Sequence, residues 1–262
     1  MDEQDYEYRD LMAATWDLFR GDTSQWSDKF FFRDIINRYG EPVLDVGCGT
    51  GRLTLDYLTD GVDIDGVDNS PEMLALCREK AGELGLTPNL FEQRMETLDL
   101  PRQYRTIIVP SSSFQLLTDP AMATQAMRRF YAHLKPGGVL AMPFMILWEA
   151  SEPTEQVEWE QISEKIRAED GAVARRWTRG RYDVENQLEH TEDRYEIILN
   201  GQVIASEHHQ RSPAARWYTL SQAVQLYHEA GFMIVQATSF DGSNDVPATD
   251  NDTTFTIVGA RP

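Results

Sequence analysis

Val43-Leu-Asp-Val-Gly-Cys-Gly-Thr-Gly51 is the stretch whose reading decides the fold. An apolar run, residues 43–46, leads into glycines at alternate positions, Gly47, Gly49 and Gly51, and an amphipathic run, residues 52–58, leads out. Strand, glycine turn and helix form the opening unit of a nucleotide-type α/β fold. Glycine permits positive φ and leaves room for a ligand against the main chain. The stretch therefore predicts a ligand seated at residues 47–51, over the N-terminus of the next helix.

The residues around the turn narrow the ligand. A dinucleotide fingerprint needs its third glycine three residues after the second, and that position is Arg52. A phosphate loop needs Gly-Lys-Ser/Thr, whereas Gly51 is followed by Arg52 and Leu53. Asp45, just before the turn, would repel a phosphate but suits an ammonium group. Asp68 closes a second strand-like run, residues 62–67, and a carboxylate at a strand end can accept both hydroxyls of a ribose. A nucleoside that carries an amine and no essential phosphate fits these features, and S-adenosylmethionine is such a molecule.

At this point the chain resembles a family. Val43-Leu-Asp-Val-Gly-Cys-Gly-Thr-Gly-Arg52 is similar to the first motif of the class I S-adenosylmethionine-dependent methyltransferases. Gly66-Val-Asp-Asn-Ser-Pro-Glu-Met-Leu74 resembles their second, and Leu134-Lys-Pro-Gly-Gly-Val-Leu140 resembles the turn before their fifth strand. The three motifs stand in the family's order and spacing. The resemblance covers residues 30–146 well and residues 218–262 loosely, by pattern only.

The resemblance implies a cofactor cradle. Asp45 orients the methionine amine, and Gly47, Gly49 and Gly51 let the backbone pass under the ligand, with Cys48 as a small packing residue of the same loop. Asp68 holds the ribose diol, with Asn69 beside it and Met73 near the adenine; the bland alternative for Asp68 is a helix N-cap. Arg94 stands where the family often has an acid after the third strand, so the adenine contact falls to Met95 or to Glu96. Pro110 and Ser111, after the fourth strand, face the transferred methyl, and Ser112 and Gln115 border the acceptor; a capping role for the serines is an equal reading. Trp16, with Tyr8 and Tyr6, stands where relatives place an aromatic cover, and an aromatic face attracts a sulfonium. Arg211, Arg216, Trp217 and Tyr218 lie where the chain returns toward the core, a border of the acceptor pocket in relatives. No catalytic base is assigned.

Composition excludes several classes. Against 24 basic residues stand 43 acidic ones, a net charge of −19, which opposes phosphate backbones; no nucleic-acid partner is expected. The densest basic run, residues 175–181, reads either as a patch for an anionic substrate or, more plainly, as a strand face paired with nearby carboxylates. No apolar run reaches 18 residues, the N-terminus is acidic, and a cytoplasmic protein without membrane attachment is expected. Cys48 and Cys77 are too few for a disulfide framework, and no His, Cys or carboxylate cluster has metal-ligand spacing. His133 reads as a surface residue, and His208 and His209 as exposed strand positions.

The order of elements predicts an α/β fold: a doubly wound, mostly parallel seven-stranded sheet with helices on both faces. Residues 6–19 and 28–39 read as helices. Strands at 42–46, 63–67, 89–95, 106–110 and 139–146 alternate with helices at 52–58, 71–83 and 120–134. Residues 149–170 are acidic and weakly periodic. Three strands, 173–183, 187–199 and 202–211, then predict a small antiparallel β cap inserted after the fifth strand, with Asn200-Gly201 as a two-residue hairpin turn. A helix at 220–230 and strands at 232–240 and 253–260 complete the sheet. Residues 241–245 superficially resemble a calcium loop but lack its distal glutamate. The expected organisation is N-terminal helices plus cofactor core at 1–148, cap at 149–217 and core completion at 218–262.

The reading is a methyltransferase that moves a methyl group from S-adenosylmethionine to a nitrogen or oxygen of a small molecule by in-line displacement. The cap resembles those of small-molecule N-methyltransferases, and the resemblance implies a pocket restricted to a small acceptor. An RNA or protein methyltransferase, a non-catalytic S-adenosylmethionine-binding scaffold and a nucleotide-dependent oxidoreductase are the rivals. An exposed cap strand offers an edge for a homodimer.

Overall fold

In a computed structural model that describes residues 8–239 and 246–262, the chain forms two units. Ser24–Ile146 with Trp217–Pro262 makes one, and the N-terminal residues through Thr23 with Leu147–Arg216 make the other.

The first unit is built on β1 (Val43–Val46), β2 (Ile64–Asp68), β3 (Asn89–Glu92), β4 (Tyr104–Ile108) and β5 (Leu134–Met145), closed by two later strands, β10 (Met233–Ser239) and β11 (Thr254–Ala260). Their order is β10-β11-β5-β4-β1-β2-β3. β1, β2, β3, β4 and β5 run parallel, and β11 runs antiparallel to both its neighbours. Helices α3 (Ser27–Tyr39), α4 (Arg52–Thr59), α5 (Pro71–Glu83), α6 (Pro120–His133) and α7 (Leu220–Glu229) cover it. Alternate strand residues enter opposite cores. Leu44, Ile107, Leu140 and Ile257 join one cluster with Phe130 and Tyr227. Val43, Ile108, Val139 and Val258 join another with Phe31, Phe32, Ile35 and Ile36 of α3. Burial on both faces is what a parallel sheet requires.

Helix starts follow the expected chemistry. Ser70 caps α5, its hydroxyl accepting the Met73 N–H, with Pro71 at the first helical position. Asp119 caps α6 ahead of Pro120. Thr219 and Gln222 form a reciprocal capping box at α7. His133 departs from its surface reading. It is buried at the end of α6, where its Nε2 accepts the Leu100 N–H at 3.0 Å and its Nδ1 lies 2.8 Å from the Arg129 carbonyl.

The second unit is a four-stranded antiparallel sheet, β6 (Glu155–Ile166), β7 (Val173–Asp183), β8 (Leu188–Leu199) and β9 (Gln202–Arg216), in sequential order. Asn200 and Gly201 both have positive φ, 53° and 78°, as a type I′ hairpin turn demands. β6 is a fourth strand beyond the three expected from sequence. It is an edge strand exposed along nearly its whole length, so no hydrophobic alternation marks it. Its glutamates meet the arginines of β7; Glu164 accepts from Arg175 at 2.6 Å.

The N-terminal residues are two short helices, α1 (Asp10–Ala14) and α2 (Trp16–Arg20), rather than one. The Thr15 hydroxyl bonds back to the Leu11 carbonyl at 2.6 Å at the break. They group with the four-stranded sheet and not with the cofactor core to which the sequence reading attaches them. The cause is apolar packing: Leu11, Leu18 and Phe19 lie against Ala172, Ala174 and Ile197. Tyr6 and the calcium-like residues 241–245 lie outside the described residues.

Candidate functional site

β1 sits at the centre of its sheet, with β2 and β3 on one side and β4 and β5 on the other. The chain therefore reverses its winding direction between β1 and β4, and ligands of open α/β sheets bind at such a switch point, beyond the strand C-termini. Gly47 to Gly51 follow β1, Asp68 ends β2, and Pro110 to Ser113 follow β4, so these residues share that end of the sheet.

The glycine turn is tightly framed. The Gly47 and Cys48 N–H groups both donate to the Val67 carbonyl, at 2.8 and 3.1 Å. Gly47 has φ 74°, and a Cβ there would lie 2.8 Å from Ser113 Oγ. Gly51 has φ 86°, and a Cβ there would lie 2.5 Å from Cys77 Sγ. Neither position accepts a side chain. Cys48 and Met73 are buried, Asn69 and Met95 half-buried. The Met73 methyl is 3.4 Å from a Cβ built on Gly49, and the Met95 methyl 3.7 Å from one built on Gly47, so both thioethers border the turn.

Asp45 carries the decisive electrostatics. It is 1% exposed. Its Oδ2 accepts the Thr54 hydroxyl at 2.7 Å, while its Oδ1 has no hydrogen-bond partner. Burial pushes its pKa up to about 6, against the hydrogen bond from Thr54, which lowers it. Arg52, which opens α4, does not supply the missing partner. Its guanidinium is engaged in two bonds with Asp28, at 2.9 and 2.5 Å. A buried carboxylate oxygen without a partner is costly unless a cation or donor completes it. An ammonium group does both.

Asp68 is buried at the end of β2. Its Oδ2 accepts the Gly49 N–H and its Oδ1 the Ser70 N–H, each at 2.9 Å. Burial raises its pKa. The cap of α5 is Ser70, so Asp68 is not that cap. Two backbone bonds leave lone pairs on both oxygens for a diol. The donor set and the cradle thus fit S-adenosylmethionine: a buried carboxylate for its amine, a turn without side chains for its body and a strand-end carboxylate for its ribose.

The remaining expected residues have definite places. Glu96 is buried and held by Arg94, Nε to Oε1 at 2.5 Å, so the unexpected arginine pairs with the acid beside it. Pro110 is buried, and its carbonyl accepts the Ser113 hydroxyl at 2.9 Å. Ser111 has φ 57°, a left-handed conformation uncommon outside glycine and typical of strained functional loops. Ser112 precedes a short 3-10 turn, Ser113–Leu116. Gln115 is fully buried and clamps Met145 through both amide ends, each at 2.8 Å. Trp217 and Tyr218 are buried, and Tyr218 packs against Phe114 and Phe144.

In the second unit, the Trp16 ring lies 4.7 Å from that of Tyr8 and 4.3 Å from the Arg20 guanidinium. Arg211 bonds Asp193 at 2.9 Å, and Arg216 donates to the Asn186 carbonyl at 2.7 Å. In the basic run, Arg175, Arg176 and Arg179 pair with Glu164, Asp193 and Glu192. His209 is buried and bonded to Glu207, whereas His208 is exposed and bonded to Glu192. Sequence reasoning missed Thr54 and Ser113, and it paired the strand of Arg176 with carboxylates without naming Asp193. Their signal is spatial, because each acts on a residue of another element. Among the described residues no group of three or more His, Cys, Asp or Glu is placed to hold a metal ion, and no helix is long and apolar enough to cross a membrane.

Residues 43–138 match the family model described as "methyltransferase domain". A protein of Geobacillus sp. (strain WCH70), whose name carries only a provisional methyltransferase label, is 24% identical over 231 residues, 87% of this chain and 89% of its own. Three further curated relatives are matched over 52%, 47% and 41% of their own length. Among solved structures, an S-adenosylmethionine-dependent methyltransferase from Clostridium acetobutylicum ATCC 824 superposes with a TM-score of 0.72 at 19% identity, covering 92% of each chain. A sugar N-methyltransferase from Streptoalloteichus sp. ATCC 53650 superposes with a TM-score of 0.70 at 22% identity, covering 100% of this chain and 95% of that one. With the match spanning the glycine turn and Asp68, the chain carries a methyltransferase domain, set in the fold of the class I S-adenosylmethionine-dependent methyltransferases.

Proposed function

We propose that the protein methylates a nitrogen or oxygen of a small molecule, with an amine the favoured acceptor. The observation that carries this reading is the extent of the likeness to the sugar N-methyltransferase, which takes in the whole chain and not the methyltransferase domain alone. A net charge of −19 agrees with it, since such a surface repels polynucleotides.

When bound, S-adenosylmethionine supplies an electrophilic methyl on sulfur. That methyl would pass to the acceptor's lone pair, with sulfur keeping the electrons of the broken carbon–sulfur bond and the methylated amine losing a proton. The leaving group is neutral and needs little acid assistance. The protein's share is placement, which can supply much of the acceleration. Asp45 anchors the amine end, Asp68 the ribose, and Met73 and Met95 flank the turn. Ser112, Gln115, Trp217 and Tyr218, in the unit that carries the glycine turn, remain our candidates for the acceptor's surroundings.

The test is calorimetric titration of S-adenosylmethionine and S-adenosylhomocysteine into wild type and Asp68→Ala, followed by assay of S-adenosylhomocysteine release with small amines, acids and phenols. Binding lost in the variant and turnover with an amine are the expected results. A wild type that binds neither compound refutes the reading.

A further inference from the structure

Thr54 puts a hydroxyl where packing does not ask for one. It is the third residue of α4 and has no exposed surface, and the other buried residues of that helix, Leu53, Leu55 and Tyr57, are aliphatic or aromatic. Valine would fill the same space without the cost of burying a hydroxyl. Thr59, in the same helix, returns its hydroxyl to the Leu55 carbonyl at 2.9 Å, the usual recourse of a helical threonine. For Thr54 the carbonyl four residues back is that of Thr50, which lies outside the helix. Its hydroxyl crosses instead to β1 and donates to Asp45 Oδ2 at 2.7 Å.

That bond acts on both properties that a carboxylate needs in order to take a cation. The first is orientation. The terminal torsion of an aspartate is broad and roughly two-fold, so a carboxylate without a partner turns readily. A donor on Oδ2 fixes it and leaves Oδ1, which has no hydrogen-bond partner, as the oxygen still to be satisfied. The second is charge. Burial opposes the ionisation of Asp45, and the Thr54 bond is the strongest influence that favours the anion, ahead of Arg52. The other groups around Asp45 do not take over this role. Arg52 of α4 is held by Asp28 of α3. Asp28 and Asp68, the latter at the end of β2, oppose a further negative charge. Tyr57 of α4 donates its hydroxyl to the Lys29 carbonyl at 2.6 Å, and burial pushes its ionisation up. Burial does the same to Cys48 of the turn and Cys77 of α5, so both thiols stay neutral.

We propose that Thr54 is a positioning residue for the cofactor: its hydroxyl holds Oδ2 of Asp45, favours the anion, and leaves Oδ1 as the oxygen that takes the cofactor's ammonium group. This rests on the cofactor reading and holds whichever acceptor is methylated.

The test has two readings on the full chain. In the first, the Asp45 carboxyl is titrated by carbon NMR without cofactor, its signal assigned by its absence from Asp45→Asn. Thr54→Val raises the midpoint by about one pH unit, and Thr54→Ser, which keeps the hydroxyl, returns it to the wild-type value. In the second, calorimetry compares S-adenosylhomocysteine, which carries the ammonium, with methylthioadenosine, which lacks it. Thr54→Val weakens S-adenosylhomocysteine about five-fold more at pH 6 than at pH 8, because the anion at Asp45 is depleted further there, and leaves methylthioadenosine unchanged. Thr54→Ala removes the same hydroxyl and repeats each reading if the valine variant does not fold. An unshifted midpoint, a loss of equal size at the two pH values, or an equal weakening of methylthioadenosine overturns the proposal. A wild type that binds neither compound strikes the cofactor reading instead, while the NMR titration still decides whether Thr54 governs Asp45.

Discussion

Asp45→Asn separates stability from cofactor binding at one atom pair. The Asp45 carboxyl ionises at about 6 in the folded chain against an ordinary value of 3.8, because burial opposes its charge. A raised folded pKa on an acid means that the folded state holds a proton which the unfolded state has lost between those two values. Stability therefore falls as pH rises from about 4 to about 6, and the penalty stays in full above that window. At about 1.36 kcal/mol per ten-fold change in proton activity, the full penalty is roughly 3 kcal/mol, of which about 1.4 develops above pH 5. Asparagine keeps an acceptor for the Thr54 hydroxyl and has no charge to lose. It also buries an amide where Oδ1 now lacks a partner, which adds a constant offset of about 1–3 kcal/mol. The change in the gap between the two proteins with pH is free of that offset, and carboxylates common to both cancel in it. Urea unfolding at pH 5.0 and 7.5 should show the variant gaining about 1.4 kcal/mol relative to wild type on going to the higher pH. The variant should also bind S-adenosylmethionine about two orders of magnitude more weakly at pH 7.5, since the ammonium loses the buried counter-charge that Asp45 supplies. A gap that is the same at both pH values, or undiminished affinity, would refute the account of Asp45.

Three further expectations follow from the same geometry. Wild-type affinity for S-adenosylmethionine should fall about ten-fold for each pH step below about 6, because binding needs the Asp45 anion; calorimetry from pH 5 to 8 reads this, and a flat profile contradicts it. Gly47→Ala should abolish cofactor binding and lower stability by about 1–3 kcal/mol, since a Cβ at φ 74° would lie 2.8 Å from Ser113 Oγ; a variant with unchanged affinity and melting temperature contradicts the packing. Asp193→Ala should destabilise by about 3–5 kcal/mol by removing the buried carboxylate that Arg176 and Arg211 share, with Asp193→Asn costing less; denaturant midpoints of the two variants decide it.

The strand order around the glycine turn was legible because local signals agree there. Val43 to Val46 is apolar, the glycines forbid a continued strand, and Ser70-Pro71 and Asp119-Pro120 mark helix starts by their own chemistry. β6 was illegible for a physical reason. An edge strand exposed on both faces has no core side, so glutamates alternate with nothing, and only pairing with the arginines of β7 gives it a place. The membership of residues 8–23 was likewise hidden. Leu11, Leu18 and Phe19 show that a face is apolar, but not that Ala172, Ala174 and Ile197 are what it meets.

The candidate site divides along the same line. Asp45, Gly47, Gly49 and Asp68 could be read because the turn that needs them is contiguous in sequence. Thr54, Ser113 and Arg176 could not, because each has meaning only through a residue on another element: Asp45, Gly47 and Asp193. Sequence exposes a residue's role when backbone conformation alone demands its type, as at φ 74° or a helix N-cap. It hides the role when burial creates the demand, as for Asp45 Oδ1 and the Thr191 hydroxyl, where the informative fact is a bond that the chain leaves unmade.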